Sequence, residues 1–543
     1  MKLRTLIAAG LTASLITIAP ANAQTDNSYD LFLGVGPDAS SANLNWYMPS
    51  WQNQQVQVKD ASGTITTIDP HEVKLTTTKA EYAAKANITG LTGGETYRVG
   101  SDAAGWTDWY ELNTQPQSDS WNFLFYGDPQ IGSGSLASDA AGWKKALNVS
   151  TSAHPHSAFL VSAGDQVNAA LRQDEYAAFF APEELRNYRL AVQNGNHDND
   201  PVAFARHYNL PNAEGYNYYY EYNNALIIAL DSNSIDYNGM ATFLRKAVAQ
   251  AGGGKDWIIV TFHHPPYAHS WHAFEAKPKQ LATRLGPVLS DLGVDLVLNG
   301  HEHMHTRSHL VTGTTARPTD DTDLTPRGSE VLYYTANSAS GSKFYDFASS
   351  GTKRHKGMTF EQSVADELVR PEVAYWNQDY TPDYTNVEIT PTKLTLTTYN
   401  VDDGSIVDTV SLNKTVLPPL PDNPGSVTEL PDNPGSVAEL PDPGTVVETE
   451  TKVEEETKVE TENETVVETE TKVETENETV VETETKVETE NETVVETETV
   501  TSGSSEQTPL QVAAIVTPII SLLAMLGSAL WTQREQIIHL LGL

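Results

Sequence analysis

The sequence predicts an α/β domain preceded by a small all-β domain and followed by segments that join neither. Three observations predict this. Between Trp121 and Asn299, five short apolar runs each end in a cluster drawn from Gly, Asp, Asn, Gln, Pro and His. Before them, from 28 to 118, lie short stretches rich in β formers and separated by turns. Behind them, from 416 to 506, aromatic residues vanish and Glu, Thr, Val, Pro and Gly dominate.

Composition bounds the function. The chain has 543 residues, with 34 Lys and Arg against 72 Asp and Glu, a net charge of -38 and no cysteine. At roughly 150 residues per domain this allows two to four domains and a sizeable core. The acidity excludes nucleic acid as a structural partner, because phosphate affinity comes from Lys/Arg clusters. The lack of thiols excludes a disulfide scaffold, a zinc-thiolate site and a cysteine nucleophile. Any metal must be held by N and O donors, and 15 histidines are present.

Taken in order, residues 1–23 read as a secretory signal peptide. Met1-Lys2-Leu3-Arg4 is the basic start, Leu6 to Pro20 the apolar run, and Ala21-Asn22-Ala23 the small-residue cleavage site. Residues 28–118 read as a β-sandwich. LNWYMP (44–49), VQVKD (56–60) and HEVKLTTTK (71–79) favour strands, and 86–100 reads as strand, turn, strand about Gly93-Gly94. No catalytic cluster stands out there.

Residues 119–415 form the α/β domain. WNFLFY (121–126), SAFLVSA (157–163), YRLAVQN (188–194), WIIVTF (257–262) and VDLVLN (294–299) read as strands buried on both faces. They run into GDPQ, GDQV, GNHD, HHPPY and GHEHMH. Sites in open α/β sheets lie at the carboxyl ends of strands, so these clusters are expected to converge. Each alone reads as a turn or a packed strand end. Together, with eight of the 15 histidines between His263 and His309, they are hard to explain as structure only.

Residues 416–506 are expected to be a disordered stalk. LPDNPGSV begins at Leu420 and at Leu430, and KVETENETVVETET begins at Lys458, Lys472 and Lys486. Val446 to Val500 holds 20 Glu and 4 Lys, so 16 of the 38 net negative charges. Such a segment buries too little apolar surface to offset its ordering entropy and extends by self-repulsion. A coiled coil fits less well, because no apolar heptad seam appears. Residues 507–533 carry no charge and are long enough to span a bilayer, with Pro518 inside the run. They read as a transmembrane or envelope anchor, with a hydrophobic oligomerisation helix as the alternative.

The clusters carry coherent chemistry. Asp128, Asp165, Asn196, His263, His301 and His303 offer carboxylate, amide and imidazole donors. One carboxylate can bridge two divalent cations, and two metals about 3.5–4 Å apart suit attack on phosphorus by a metal-bound hydroxide.

This motif order resembles the calcineurin-like metallophosphoesterases. D-x-[HQ], G-D, G-N-H-[DE], H-x-P and G-H-x-H stand here as Asp128-Pro129-Gln130, Gly164-Asp165, Gly195-Asn196-His197-Asp198, His263-His264-Pro265 and Gly300-His301-Glu302-His303. The resemblance covers roughly 120–412, including NVEITPTKLTLTTYNVDDGSIVDTV (386–410). It implies the metallophosphoesterase β-sandwich flanked by helices. The β domain ahead of it, with TGLTGGETYRVG, looks like the fibronectin-III-like module of purple acid phosphatases.

The resemblance also implies roles. Asp128, Asp165 and His303 hold the first metal, Asp165 bridges, and Asn196, His263 and His301 complete the second. His197 contacts the phosphate or protonates the leaving group, oriented by Asp198. Purple acid phosphatases place substrate-binding histidines after H-x-P. His272 and His269 lie nine and six residues after His263, and His272 is preferred. The implied cofactors are two di- or trivalent metal ions, drawn from Fe, Zn and Mn.

Two positions depart from the pattern. Asn168 stands three residues after the bridging aspartate, where purple acid phosphatases carry tyrosine, so no purple ferric-tyrosinate centre is expected. Gln130 stands where many members have histidine, and its neutral oxygen either binds the first metal or sits behind its ligands. His264, Glu302, His305 and His309 read as rim residues or groups that orient ligands. Tyr267 and Trp271 read as pocket walls, and Tyr218 to Tyr220 as a buried strand.

The expected protein is a secreted dinuclear phosphoesterase, tethered by its C-terminal segment to a bacterial-type cell envelope and acting on phosphate monoesters. A phosphodiesterase or nucleotidase of the same fold, or a non-catalytic surface protein with a degenerate phosphoesterase domain, are the alternatives.

Overall fold

The structure, a computed structural model, describes residues 29–76, 81–115, 117–200, 202–414, 454–460, 466–476, 478–488 and 495–502. The proposed signal peptide (1–23) and anchor (507–533) lie outside the described residues. Among the described residues no helix is long and apolar enough to cross a membrane.

Two sheets face each other across the main core. The first runs, edge to edge, Asp323–Leu324, Ile406–Asn413, Lys393–Asn400, Asp383–Ile389, Trp121–Tyr126, Leu160–Ser162, Leu190–Val192, Tyr29–Val35, Ala42–Met48, Tyr82–Ile88 and Glu72–Leu75. The second runs Tyr218–Tyr222, Ala225–Ala229, Trp257–Thr261, Leu296–Asn299, Leu332–Thr335, His305–Ser308 and Val373–Asn377. Phe123, Phe125, Phe159 and Val161 share one buried cluster with Ile227, Ile259, Leu296 and Leu298. Trp143, Leu147, Tyr176 and Phe179, on the helices Leu136–Ala153 and Gln173–Phe180, cover the outer face of the first sheet. Met240, Phe243 and Leu244 of the helix Tyr237–Ala251 do the same for the second. The layers are therefore helix, sheet, sheet, helix. Each central strand is covered on both faces, which explains its nearly unbroken apolar run.

The five strands marked in the sequence are divided between these sheets. Trp121–Tyr126, Leu160–Ser162 and Leu190–Val192 pair in parallel in the first. Trp257–Thr261 and Leu296–Asn299 pair in parallel in the second. The segment 386–410 falls within an antiparallel meander that pairs onto Trp121–Tyr126. A buried ionic link crosses between sheets. Asp408 accepts from Arg307 Nε at 2.8 Å and lies 3.2 Å from His305 Nε2. Burial raises the Asp408 pKa, but His305 and Arg307 outweigh it and hold the carboxyl at about 2. His305 is thus a buried structural group and not a rim residue.

The N-terminal region is all-β. Four strands of the first sheet pack on a small sheet of Ile65–Ile68, Gln55–Lys59, Thr96–Ser101 and Gly105–Trp106, with Leu44, Trp46, Val56, Ala84, Tyr97 and Val99 buried between. Gly93 and Gly94 take φ of 109° and 79°, the left-handed backbone that their turn requires. The expected boundary near 118 is not a break in the sheet, because Tyr29–Val35 pairs in parallel with Leu190–Val192 through Gly34 and Leu190. Tyr29–Val35 and Ile65–Ile68 were not among the strands expected.

At this seam His207 is buried, 3.1 Å from Tyr47 Oη through Nδ1 and 3.2 Å from Gln173 Nε2 through Nε2. Burial first, and Arg206 second, depress its pKa well below the usual histidine value. The unfolded chain therefore takes up a proton near pH 6.5 that the folded chain refuses. His207 stabilises the fold fully above that pH, and the contribution is lost as pH falls. Its share of the slope is about 1.4 kcal/mol per pH unit below about 6.5. Urea unfolding of wild type and His207→Gln at pH 7 and 5 should show a smaller acid loss in the variant. Parallel pH profiles would refute the assignment.

Residues 454–460, 466–476, 478–488 and 495–502 belong to a second unit of the chain. Of the expected stalk, only these segments are described. Glu454–Glu460, Val466–Glu476, Glu478–Glu488 and Val495–Ser502 form an antiparallel meander. Register follows the repeat: Thr457 pairs with Thr469, Thr469 with Thr485, and Thr485 with Thr497. The physical reason is the alternation of Glu with Thr and Val, β-branched residues at a period of two.

Candidate metal centre

The carboxyl ends of the marked strands do meet. Asp128 follows Trp121–Tyr126, Asp165 follows Leu160–Ser162, and Asn196 follows Leu190–Val192. His263 follows Trp257–Thr261, while His301 and His303 follow Leu296–Asn299. Oxygens of Asp128 and Asp165 and a nitrogen of His263 lie within 4.8 Å of one another.

The donors fall into two groups. Around His263 Nε2 stand Asn196 Oδ1 at 3.0 Å, His301 Nδ1 at 3.2 Å and Asp165 Oδ2 at 3.3 Å. In the other group His303 Nε2 lies 3.1 Å from Asp128 Oδ2. Backbone carbonyls fix the imidazoles. His263 Nδ1 donates to Ala163 O at 2.9 Å and His303 Nδ1 donates to Lys343 O at 2.8 Å. This leaves both Nε2 atoms as the inward donors, the tautomer that metal binding requires. Burial works against a charged His263, yet the Asp165 and Asp128 carboxylates outweigh it and hold its pKa at about 9. Burial likewise raises Asp165, and the charge of His263 reverses this, so its carboxyl lies well below the usual range. Buried carboxylates and imidazoles, with the amide oxygen of the exposed Asn196 beside them, suit hard and borderline divalent cations.

Local backbone makes this possible. Gln130, Asp165, His301 and His303 have φ of 37°, 46°, 69° and 43°. Each left-handed residue costs on the order of 1 kcal/mol, which the surrounding fold must offset. A Cβ on Gly195 would strike the amide and carboxylate of Asp165, and one on Gly300 would strike Asp128 Oδ1. The glycines of GNHD and GHEH are there for close approach.

The remaining residues sort by contact. Gln130 Nε2 donates to Asn168 Oδ1 at 3.2 Å, and its Oε1 is buried with no hydrogen-bond partner. An orphaned acceptor of this kind fits a ligand oxygen. His197 is half-buried, with its amide donating to Asp165 Oδ1 at 2.8 Å and its Nδ1 to Asn168 O at 2.7 Å. The expected orientation of His197 by Asp198 is corrected here. The Asp198 carboxylate accepts from Gln166 N at 3.0 Å and Val167 N at 3.2 Å, and so braces the Asp165 turn. Burial, and then the charge of Asp165, push the Asp198 pKa well above the carboxylate range.

His272 stands at the centre, its ring 4.5 Å from that of His301. His269 stands apart. It is buried, 3.3 Å from Ala348 O through Nδ1, with Nε2 accepting from Arg370 N at 2.8 Å. His264 Nδ1 lies 2.8 Å from Ser232 Oγ, with its ring 4.4 Å from His301. Glu302 is buried, and burial pushes its carboxyl up to about 8. His309 is only part-buried, its ring accepting from Thr319 N at 3.3 Å. Trp271 packs on His272 with ring centroids 3.6 Å apart. Tyr267 is a core residue on Tyr333, not a pocket wall.

Sequence reasoning missed one whole loop, 336–346. It follows Leu332–Thr335 and brings Ser338, Ser340, Lys343 and Tyr345 to the site. Ser338 Oγ donates to Asp128 O at 3.1 Å, and Ser340 Oγ donates to Pro129 O. The signal was present in VLYYTANSASGSKFY (331–345), another apolar run ending in small polar residues. It holds no His or Asp, so it did not stand out.

Residues 122–305 match the family model described as calcineurin-like phosphoesterase. The match covers about a third of the chain, and it is this stretch that is similar to calcineurin-like phosphoesterases. The purple acid phosphatase PPD1 of yellow lupin (Lupinus luteus) seeds is similar over 71% of this chain and 74% of its own, with TM-score 0.58 and 13% identity. At that identity the likeness is one of fold. GAP50, the anchor in the inner membrane complex of Plasmodium, aligns over 54% of this chain and 90% of its own at 16% identity and TM-score 0.38. No curated protein matches the sequence.

Proposed function

We propose that this chain is a dinuclear metal-dependent hydrolase of phosphate monoesters, secreted and held at the cell envelope by its C-terminal segment. The observation that carries the reading is the meeting of Asp128, Asp165, Asn196, His263, His301 and His303 at the ends of strands from two sheets. Asp128, Asp165 and His303, with Gln130 beside them, would hold one metal. Asp165, Asn196, His263 and His301 would hold the other. Two bound cations would neutralise the phosphate oxygens and supply a nucleophile near neutral pH.

The chain's own residues do the rest. The peptide N–H of His301 donates to both oxygens of Asp128 at 2.9 Å and fixes that carboxylate. His197, held through Nδ1 by Asn168 O, has Nε2 left for the leaving-group oxygen. His197→Ala is expected to lower turnover about 10²–10³-fold with unchanged metal content. Metal loss in the variant would make His197 a ligand instead.

Elemental analysis of the full chain, purified without chelator, tests the reading. The same sample is assayed on p-nitrophenyl phosphate and bis(p-nitrophenyl) phosphate. About two metals per chain with faster monoester turnover is expected. Faster diester turnover would make it a phosphodiesterase or nucleotidase. No metal and no turnover after adding Mn, Zn or Fe would make it a non-catalytic surface protein.

A further inference from the structure

The loop 336–346 is stitched to the site residues. His303 Nδ1 donates to Lys343 O at 2.8 Å, and Gln378 Nε2 donates to both His303 O at 2.7 Å and Tyr345 O at 2.8 Å. Its Lys343 Nζ lies over the Tyr345 ring, 4.7 Å from the centroid. That ring stands 5.1 Å from His272 and 5.1 Å from His303. Among the described residues no ion pair within 4.0 Å involves Lys343. Burial lowers the pKa of its ammonium, and the Asp165 and Asp128 carboxylates offset this only in part. Opposite it, His272 Nδ1 lies 3.0 Å from the Glu275 carboxylate, and Nε2 is buried with no partner.

A half-buried ammonium with no direct ion pair among the described residues, in a chain of net charge -38, has room for an anion in contact with it. We propose that Lys343, seated on Tyr345 and facing His272, binds a non-bridging oxygen of the substrate phosphate and selects dianionic monoesters over monoanionic diesters. This rests on the phosphoesterase reading above. An ammonium is a compact point charge that pairs with phosphate oxygens without demanding a planar fork. A monoester near neutral pH carries close to two negative charges, whereas a diester carries one and presents a bulky ester group in place of an oxygen. The hydrogen bond from His303 holds the Lys343 backbone beside the metal donors, and the Tyr345 ring seats its ammonium.

The test uses the full chain loaded with metal, orthophosphate as the binding probe, and the same nitrophenyl ester pair. Lys343→Ala should weaken orthophosphate binding, read by calorimetry, about tenfold or more. It should raise the monoester KM by about the same factor while diester kcat/KM changes less than about threefold. Metal content should not change, and Lys343→Arg should recover part of the orthophosphate affinity. Wild-type orthophosphate affinity and an unchanged monoester-to-diester ratio in Lys343→Ala would overturn the proposal. So would loss of metal in both Lys343→Ala and Lys343→Gln, which would make the loop a structural brace. A wild-type protein that binds orthophosphate but hydrolyses neither ester would sink the phosphoesterase reading. Calorimetry on Lys343→Ala would still decide whether Lys343 holds the anion.

Discussion

Asp165→Asn is expected to abolish phosphoester hydrolysis, with a loss of at least about 10³-fold, equal to about 4 kcal/mol of transition-state stabilisation. Asp165 is the carboxylate proposed to bridge the two cations, and one of its oxygens lies within 4.8 Å of a donor atom each of Asp128 and His263. Its Oδ2 lies 3.3 Å from His263 Nε2, and its Oδ1 accepts from His197 N at 2.8 Å. An amide of the same shape keeps one acceptor, loses the charge and cannot bridge two cations. The backbone need not move, since asparagine tolerates the left-handed φ of 46° that Asp165 adopts. Metal content should therefore fall while the melting temperature of the metal-free protein stays close to wild type. Turnover and metal content near wild type would remove Asp165 from the bridging role.

Removal of residues 29–118 is expected to leave a chain that does not fold cooperatively. The deletion would take away Tyr29–Val35, the parallel neighbour of Leu190–Val192 inside the first sheet. Arg189, 1% exposed, would lose the carbonyls of Ala39 and Ser41, to which its guanidinium donates at 2.8 and 2.9 Å. Asn209 would lose Leu44 O and Ala86 O, and Phe32 would leave the cluster that holds Phe180 and Tyr208. Each stranded buried polar group costs about 1–3 kcal/mol, more where it is charged, and a deleted aromatic about 3–5 kcal/mol. Together these approach the about 5–15 kcal/mol that holds a domain together. Calorimetry checks this: a soluble 119–414 fragment with a sharp thermal transition would show that the β region is dispensable.

How much was legible in the sequence follows from what each signal encodes. The candidate metal donors were legible because short motifs tie their chemistry to strand ends, and Asp128, Asp165, Asn196, His263, His301 and His303 all lie there. The division of their strands between two sheets was not, since a strand covered on both faces reads the same in either sheet. The seam at Gly34 and Leu190 was hidden for the same reason. Asp198 was misplaced because spacing alone does not say whether a carboxylate turns toward an imidazole or back to the peptides of Gln166 and Val167. Lys343 was missed because a lone lysine in a polar loop has no pattern. The hydrogen bond from His303 to its carbonyl and the seat of its ammonium on Tyr345 bring it to the site, and neither can be read from spacing.

The division between sheets has a mechanical side. Asp128, Asp165 and Asn196 hang from one sheet, and His263, His301 and His303 from the other. A cation gripped by both groups acts as a rivet through the two plates, and binding to the native state alone adds to stability by mass action. Prying the plates apart and losing the cation then become a single event. Such a protein would wear out all at once, keeping its chemistry until the moment its frame opens.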